Sequence, residues 1–399
     1  MPCVLAKLFN VVIHYGYVPW AFGLSYTVPI PKGSNNKSLT ADDFRGISIS
    51  PVLSKLFEHC VADRFESYFS TSDNQFGFKK SVGCSHAIYS ARCVVNRYVS
   101  AGSTVNLCAM DISKAFDKMN HKGLFIKLME KLFPLQLLIV FENWFEKCFS
   151  CVKWCSAMSS FYRLQCGIRQ GGVLSPLFFA IYIDNIVKSV SSCKIGCYVG
   201  QFCTCIFLYA DDILLLAPSV QCLQKLVLVC EGELNALGLS INDKKTVCMR
   251  IGPRYQSCCV NILTLSNKEL QWVKTVRYLG IYIASSCKFK CVFDNAKKSF
   301  YRSFNAIYGR LGECASEETI LFLTNSKCMP ILLYGLDACP IIVSDRKSLD
   351  FTTTRILMKI FKTTSNDNIG ECQTPFCISF YVRVCGRKEV KFLIQIFCR

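Results

Sequence analysis

No apolar run in the 399 residues is long enough to cross a membrane. The longest, such as "FPLQLLIVF" and "DILLLAPSV", fall well short of the ~18 residues a spanning helix needs. The first residues, "MPCVLAKLFNVVIHYG", lack a basic n-region and a small-residue cleavage site, which argues against an export leader. Leu5, Leu8, Phe9, Val12 and Ile13 fall instead at helical spacing, the mark of an amphipathic helix. Internal repeats and low-complexity segments are absent, which excludes solenoids and general disorder. Acidic residues are scarce: 28 Asp+Glu face 46 Lys+Arg, a net charge of +18. A surplus of that size implies a polyanionic partner, a nucleic acid or an acidic surface.

Cysteine, by contrast, is plentiful, at 27 residues. A disulfide frame suits short secreted chains, and this chain is long and leaderless. Cys148, Cys151, Cys155 and Cys166 do not make a clean pair of CxxC knuckles, so reduced core thiols are expected rather than a zinc site.

Strands and helices interleave. "YTVPIPKGSNNKSLTADDFRGISIS" reads as strand, polar loop at Gly33-Ser34-Asn35-Asn36, and strand. Leu124, Leu128 and Leu132 line one helix face, and Ser175 with Pro176 reads as an N-cap followed by the first helical residue. Residues 220–237 form an apolar-faced helix closed by Gly238, and "LSINDKKTVCMRI" after it alternates like a strand pair around a turn. Together these predict an α+β fold, a sheet with helices packed on it. Past about residue 285 the pattern turns helical and basic, which predicts a second unit over 286–399.

"FLYADDILLLAPS" sets two carboxylates, Asp211 and Asp212, inside an apolar run. Flanking strands would put Ala210-Asp211-Asp212 at a hairpin turn, where buried charge is costly without a cationic partner. Asp111 in "AMDISKAFD" ends another apolar strand. If these strands are neighbours, the carboxylates converge, and a hard oxygen cluster of this kind suits Mg²⁺.

These motifs carry a resemblance. "AMDISKAFDKMNH", "CGIRQGGVLSPLFFAIYIDNI", "FLYADDILLLAPS", "GLSINDKKTVCM" and "RYLGIYI" follow the order seen in non-LTR (LINE-like) retrotransposon reverse transcriptases. "VPIPKG", "DFRGISISPVLSKLFEH" and "QFGFKK" resemble the fingers segments of the same family, and "LLYGLDA" the start of its thumb. The resemblance implies a right-handed polymerase, with an antiparallel palm sheet, packed helices and fingers over 1–285 and a mainly helical thumb over 286–399. The implied activity is RNA-directed DNA synthesis from dNTPs by two-metal nucleotidyl transfer, with Mg²⁺ (or Mn²⁺ in its place), an RNA template and a DNA primer.

Residue by residue, the resemblance makes Asp111, Asp211 and Asp212 the metal-binding acidic set. Lys245, beside Lys244, matches a proton donor to the leaving pyrophosphate. Lys32 and Arg45 would hold the triphosphate, Arg45 matching its motif better. Phe116 would block a ribose 2′-OH. Arg169, Gln170, Gly171 and Tyr209 would line the substrate site. Tyr278 and Gly280 resemble a turn gripping the primer end, and Lys297, Lys298, Arg302 and Arg310 are expected to meet duplex phosphates. Gly46 stands where Pro is common, and Gly172 where Ser is also common. No endonuclease-like segment is seen, so target cutting is not expected, and "VRVCGRKEVKFLIQIFCR" reads as a truncated end. A catalytically inert nucleic-acid-binding remnant is the alternative reading. The family works in the nucleus or cytoplasm.

Overall fold

Six strands form the central sheet, in the order Ile262–Leu263, Glu269–Trp272, Val247–Ile251, Val105–Asp111, Asp212–Ala217 and Ile206–Tyr209. All neighbours are antiparallel except Val247–Ile251 with Glu269–Trp272. The computed structural model describes residues 2–32, 40–312 and 314–365; the loop read at Gly33 to Asn36 and the closing stretch 382–399 lie outside the described residues.

The two central strands are apolar at nearly every position because both faces of the sheet are covered. Cys108, Met110, Ile213 and Leu215 point into one core, with Leu124, Leu128, Phe179 and Leu226 from three helices, His121–Glu130, Ser175–Ile183 and Val220–Ala236. Their alternates Leu107, Leu214, Leu216 and Phe207 point into a second core. That core includes Ile88 of the Cys84–Ser100 helix, Phe300 and Phe304 of Asp294–Leu311, and Ile356 of Val343–Ile360. The fold is α+β, as the interleaved pattern predicts.

A second sheet orders Phe44–Ile49, Leu24–Pro31, Phe149–Trp154 and Ala157–Met158, with Tyr162–Arg163 also on Phe149–Trp154. A third, of Thr275–Tyr278, Ile281–Ala284 and Lys290–Val292, runs across residue 285 and is followed by helices. Among the described residues no helix is long and apolar enough to cross a membrane. Helix Pro2–Tyr15 buries Phe9 and Val12, as its spacing predicts.

Three local expectations need correction. Leu132 lies beyond the His121–Glu130 helix, at φ 55°, and is 81% exposed, so the apolar face ends at Leu128. Ser175 is the first helical residue rather than the cap; Leu174 holds the cap position and makes no side-chain cap bond. The first half of "LSINDKKTVCMRI" is no strand, only a single bridge from Ile241 to Ile112. The Val220–Ala236 helix follows its reading closely: the Ser219 side chain accepts from Cys222 N, and Gly238 takes φ 73° after the last turn.

Candidate active site

Asp111 is the last residue of its strand and Asp212 the first of its own, and the register pairs them directly. Asp212 also faces Tyr209, so the hairpin loop is Ala210-Asp211. Ala210 takes φ 55°, a conformation usually left to glycine in so short a loop. Three carboxylates therefore gather at one end of the central strands.

Their charges interact. Burial raises the Asp211 pKa, and the Asp111 charge adds to it, against Arg45 and Lys245. Asp212 is pushed up to about 6, by burial first and then by Asp211 and Asp111, with Arg277 and Lys245 opposing. Lys245 Nζ lies 3.5 Å from Asp111 Oδ2. That contact separates Lys245 from Lys244, which the sequence leaves open. The turn that carries Lys245 is fastened to Asp111 itself: Asn242 N donates to Asp111 O (2.8 Å), and Asp111 N donates to Thr246 Oγ1 (3.3 Å).

The sign of the Asp212 shift gives a prediction. A carboxyl that holds its proton more tightly when folded stabilises fully below its ordinary value of 3.8 and loses that contribution as pH rises through about 6. Taken whole, a shift of this size is worth about 3 kcal/mol; partial solvent contact reduces it to about 1–2 kcal/mol. Thermal unfolding in EDTA should show stability falling over that window, and Asp212→Asn should flatten the slope. Equal slopes in the two proteins would refute the assignment.

Arg45 is exposed on the Phe44–Ile49 strand opposite Ile30, and Lys32 Nζ donates to Asp42 O at 2.7 Å. Lys32, Ser48, Lys114, Asp117 and Gln170 line one open cleft. Lys114 bridges it to Asp42 Oδ1 at 2.7 Å. Phe116 is half-buried and packs on Phe179 with ring centroids 4.7 Å apart. Gln170 O accepts from Ser48 N (2.7 Å), and its side chain donates to Asp117 Oδ1 (3.3 Å). Gly171 has φ 124°, and a Cβ there would meet Ser48 O at 2.5 Å, so only glycine passes that strand so closely. Arg169 turns inward: its guanidinium donates to Phe22 O and Leu24 O and lies over the Trp144 ring.

Tyr209 is half-buried on the second core, its hydroxyl pushed up to about 12 by burial and by Cys84. Tyr278 is buried, its hydroxyl without a hydrogen-bond partner among the described residues, and burial followed by the Asp212 charge raises its pKa. Gly280 stands against Tyr334, whose hydroxyl donates to Leu279 O at 3.1 Å. "RYLGI" and "LLYGLDA" thus interlock. Lys298 and Arg302 share a groove with Arg277, whereas Lys297 pairs with Asp294 (2.8 Å) and donates to Ser348; Arg310 is exposed in the last turn of its helix.

Sequence reasoning assigns no role to several neighbours of the site. Phe76 N donates to Leu208 O and Leu208 N to Asn74 O, both at 2.8 Å, so "QFGFKK" extends the edge of the Ile206–Ala217 hairpin. A Cβ on Gly77 would meet Ala210 N at 2.6 Å. The motif itself was the available signal. Glu58 and Arg277 lie within "DFRGISISPVLSKLFEH" and "RYLGIYI", but their contacts come from distant segments that no local spacing shows. Of the four cysteines weighed for zinc, Cys148 and Cys151 are buried, and Cys155 and Cys166 exposed.

With this geometry in hand, the comparisons identify the class. The reverse transcriptase (RNA-dependent DNA polymerase) family model matches residues 30–283, and the chain belongs to that family. It is 26% identical over 295 residues to the Pol polyprotein of the type-2 retrotransposable element R2DM of Drosophila melanogaster, covering 72% of this chain and 28% of that protein. It is 25% identical over 307 residues to the RNA-directed DNA polymerase from mobile element jockey of Drosophila funebris, covering 74% and 32%. Against the R2 Pol polyprotein of Popillia japonica it is 25% identical over 368 residues, covering 88% and 48%. The chain thus spans a third or less of the first two relatives and under half of the third. The motif-based resemblance to non-LTR retrotransposon reverse transcriptases, over their polymerase region, holds. Apo telomerase from Candida tropicalis shares the fold, with TM-score 0.51 and 13% identity over 97% of this chain and 67% of that one. The architecture is the palm-type polymerase right hand.

Proposed function

We propose that the chain is an RNA-directed DNA polymerase that extends a DNA primer along an RNA template with dNTPs. The observation that carries this reading is the direct pairing of Asp111 with Asp212 beside Asp211, with Lys245 and Arg45 close enough to offset their charge.

The carboxylates fit a hard divalent ion by chemistry: all are oxygen donors, and burial and mutual repulsion leave them short of positive charge. Among the described residues no three His, Cys, Asp or Glu side chains are grouped to hold a metal by themselves. Mg²⁺ takes one or two carboxylates directly and fills its remaining positions with water and substrate phosphates. Asp111 and Asp211 would be the main ligands, with Asp212 completing the set. When bound, two such ions activate the primer hydroxyl and neutralise the leaving pyrophosphate, and Mn²⁺ can stand in for Mg²⁺.

The chain's own groups do the rest. Arg45 and Lys32 hold the triphosphate, Arg45 as a fork and Lys32 as a point charge. Gln170 and Gly171 form the floor under the incoming nucleotide, and Tyr209 lines it from the hairpin. Lys245 gives its proton to the departing pyrophosphate. Lys298, Arg302 and Arg277 face the duplex backbone, whose phosphates bind such cations without sequence preference. In this reading residues 1–285 are fingers and palm, and 286–399 the thumb and C-terminal region. The site of action is the nucleus or cytoplasm.

Primer extension by the purified protein on an RNA template, with dNTPs and Mg²⁺ and then Mn²⁺, tests the reading; no extension with either ion would overturn it. Phe116 gives a sharper test. Phe116→Ala should lower the preference for dNTPs over rNTPs, measured as the ratio of kcat/KM values, by about 100-fold, the scale on which a pocket wall excludes a hydroxyl. An unchanged ratio would leave Phe116 as core packing against Phe179.

A further inference from the structure

The Arg169–Gly172 loop is held from two sides. On one, Ser48 N donates to Gln170 O at 2.7 Å. On the other stands Glu58, from the Val52–Arg64 helix, whose side chain is buried at 3% exposure. Its Oε2 accepts from Val173 N (2.6 Å) and Leu174 N (2.9 Å). These are free backbone donors just ahead of the Ser175–Ile183 helix, which has no side-chain cap of its own. A Cβ on Gly172 would lie 3.3 Å from the same oxygen, so the loop runs directly over the carboxylate.

A buried carboxylate is costly, and its retention calls for a task. Burial raises the Glu58 pKa against the two N–H donors and the nearby Arg169 charge. Arg169 itself is tied to Phe22 O and Leu24 O, so this cation is fixed in place beside the loop.

We infer that Glu58 is a positioning residue: by receiving the Val173 and Leu174 N–H groups it sets the height of Gln170 and Gly171 against the Phe44–Ile49 strand. This rests on the reading of that loop as the floor of the nucleotide site. The consequence is specific. Loss of the acceptor loosens the floor, so dNTP binding suffers while template–primer binding, carried by the basic groove, does not.

The test uses the full chain with Glu58→Gln and Glu58→Leu. Gln keeps a carbonyl acceptor in the same place; Leu fills the space and offers none. Glu58→Leu should raise KM for dNTP about 10-fold, the scale of a lost buried hydrogen bond, with kcat and duplex Kd little changed. Glu58→Gln should stay within about 3-fold of wild type. Hydrogen exchange gives a readout independent of catalysis. In Glu58→Leu the Val173 and Leu174 amides should exchange about 10-fold faster, while those of Leu107 and Leu215 in the central sheet keep their rates.

Unchanged exchange at Val173 and Leu174 overturns the proposal, as does a parallel loss of dNTP and duplex affinity. If Glu58→Leu does not fold, the wild type decides: Val173 and Leu174 amides strongly protected from exchange support the clamp, and freely exchanging amides there overturn it. A wild type that cannot extend a primer removes the polymerase reading and leaves the exchange arm to judge Glu58.

Discussion

Asp211→Asn should reduce primer extension by about 1,000-fold or more while leaving template–primer binding intact. The amide keeps the shape of the carboxylate and removes the charge that would hold a divalent ion. Several kcal/mol of transition-state stabilisation go with that charge, and about 4 kcal/mol corresponds to three orders of magnitude. The fold should not suffer, because burial and Asp111 make the Asp211 anion costly without metal. Extension by single-turnover quench and duplex affinity by fluorescence anisotropy, on one preparation, separate the two effects. Extension that survives in Asp211→Asn would remove the hairpin from the chemistry.

Gly77→Ala should cost about 100-fold in extension, although Gly77 carries no functional group. Its Cβ would stand 2.6 Å from Ala210 N and 3.3 Å from the Tyr209 carbonyl carbon. Both are backbone atoms of the hairpin, so neither can swing aside as a side chain would. The hairpin must shift, and misplacing reacting groups by about 1 Å costs on the order of 100-fold. Ala210 is already at φ 55°, which leaves the loop little freedom to absorb the push. Gly83→Ala is the control: nothing among the described residues lies within 4 Å of the added carbon, and activity should be unchanged. Equal activity in the two variants would show that the "QFGFKK" contact does not set the hairpin's place.

What could be read in the sequence was local. The two apolar runs around "YADD" read as strands of a buried hairpin, and the structure sets Leu214 and Leu215 on its opposite faces. Ser219 and Gly238 bracket a helix because a cap and a left-handed glycine act within a few residues. Ser175 fails as a cap for the opposite reason. The acceptor that serves its helix is Glu58, from a segment more than a hundred residues upstream, and no spacing rule reaches that far. The carboxylates were legible as a set through their motifs, whereas the contact of Lys245 with Asp111 is visible only in the structure. Arg169, attractive in "RQGG", is drawn inward by the Phe22 and Leu24 carbonyls and the Trp144 ring, all distant in sequence.

The pairing of Asp111 with Asp212 also bears on how the chain is made. The two strands are joined by roughly a hundred residues, and so long a loop is slow and entropically costly to close. Ribosomes deliver Val105–Asp111 well before its partners, so this strand waits with both edges unpaired until Asp212–Ala217 and Val247–Ile251 emerge to flank it. Synthesis halted before residue 211 leaves one carboxylate of the three on a strand with no site around it. The acidic cluster therefore comes into being only once Asp212–Ala217 has paired with Val105–Asp111.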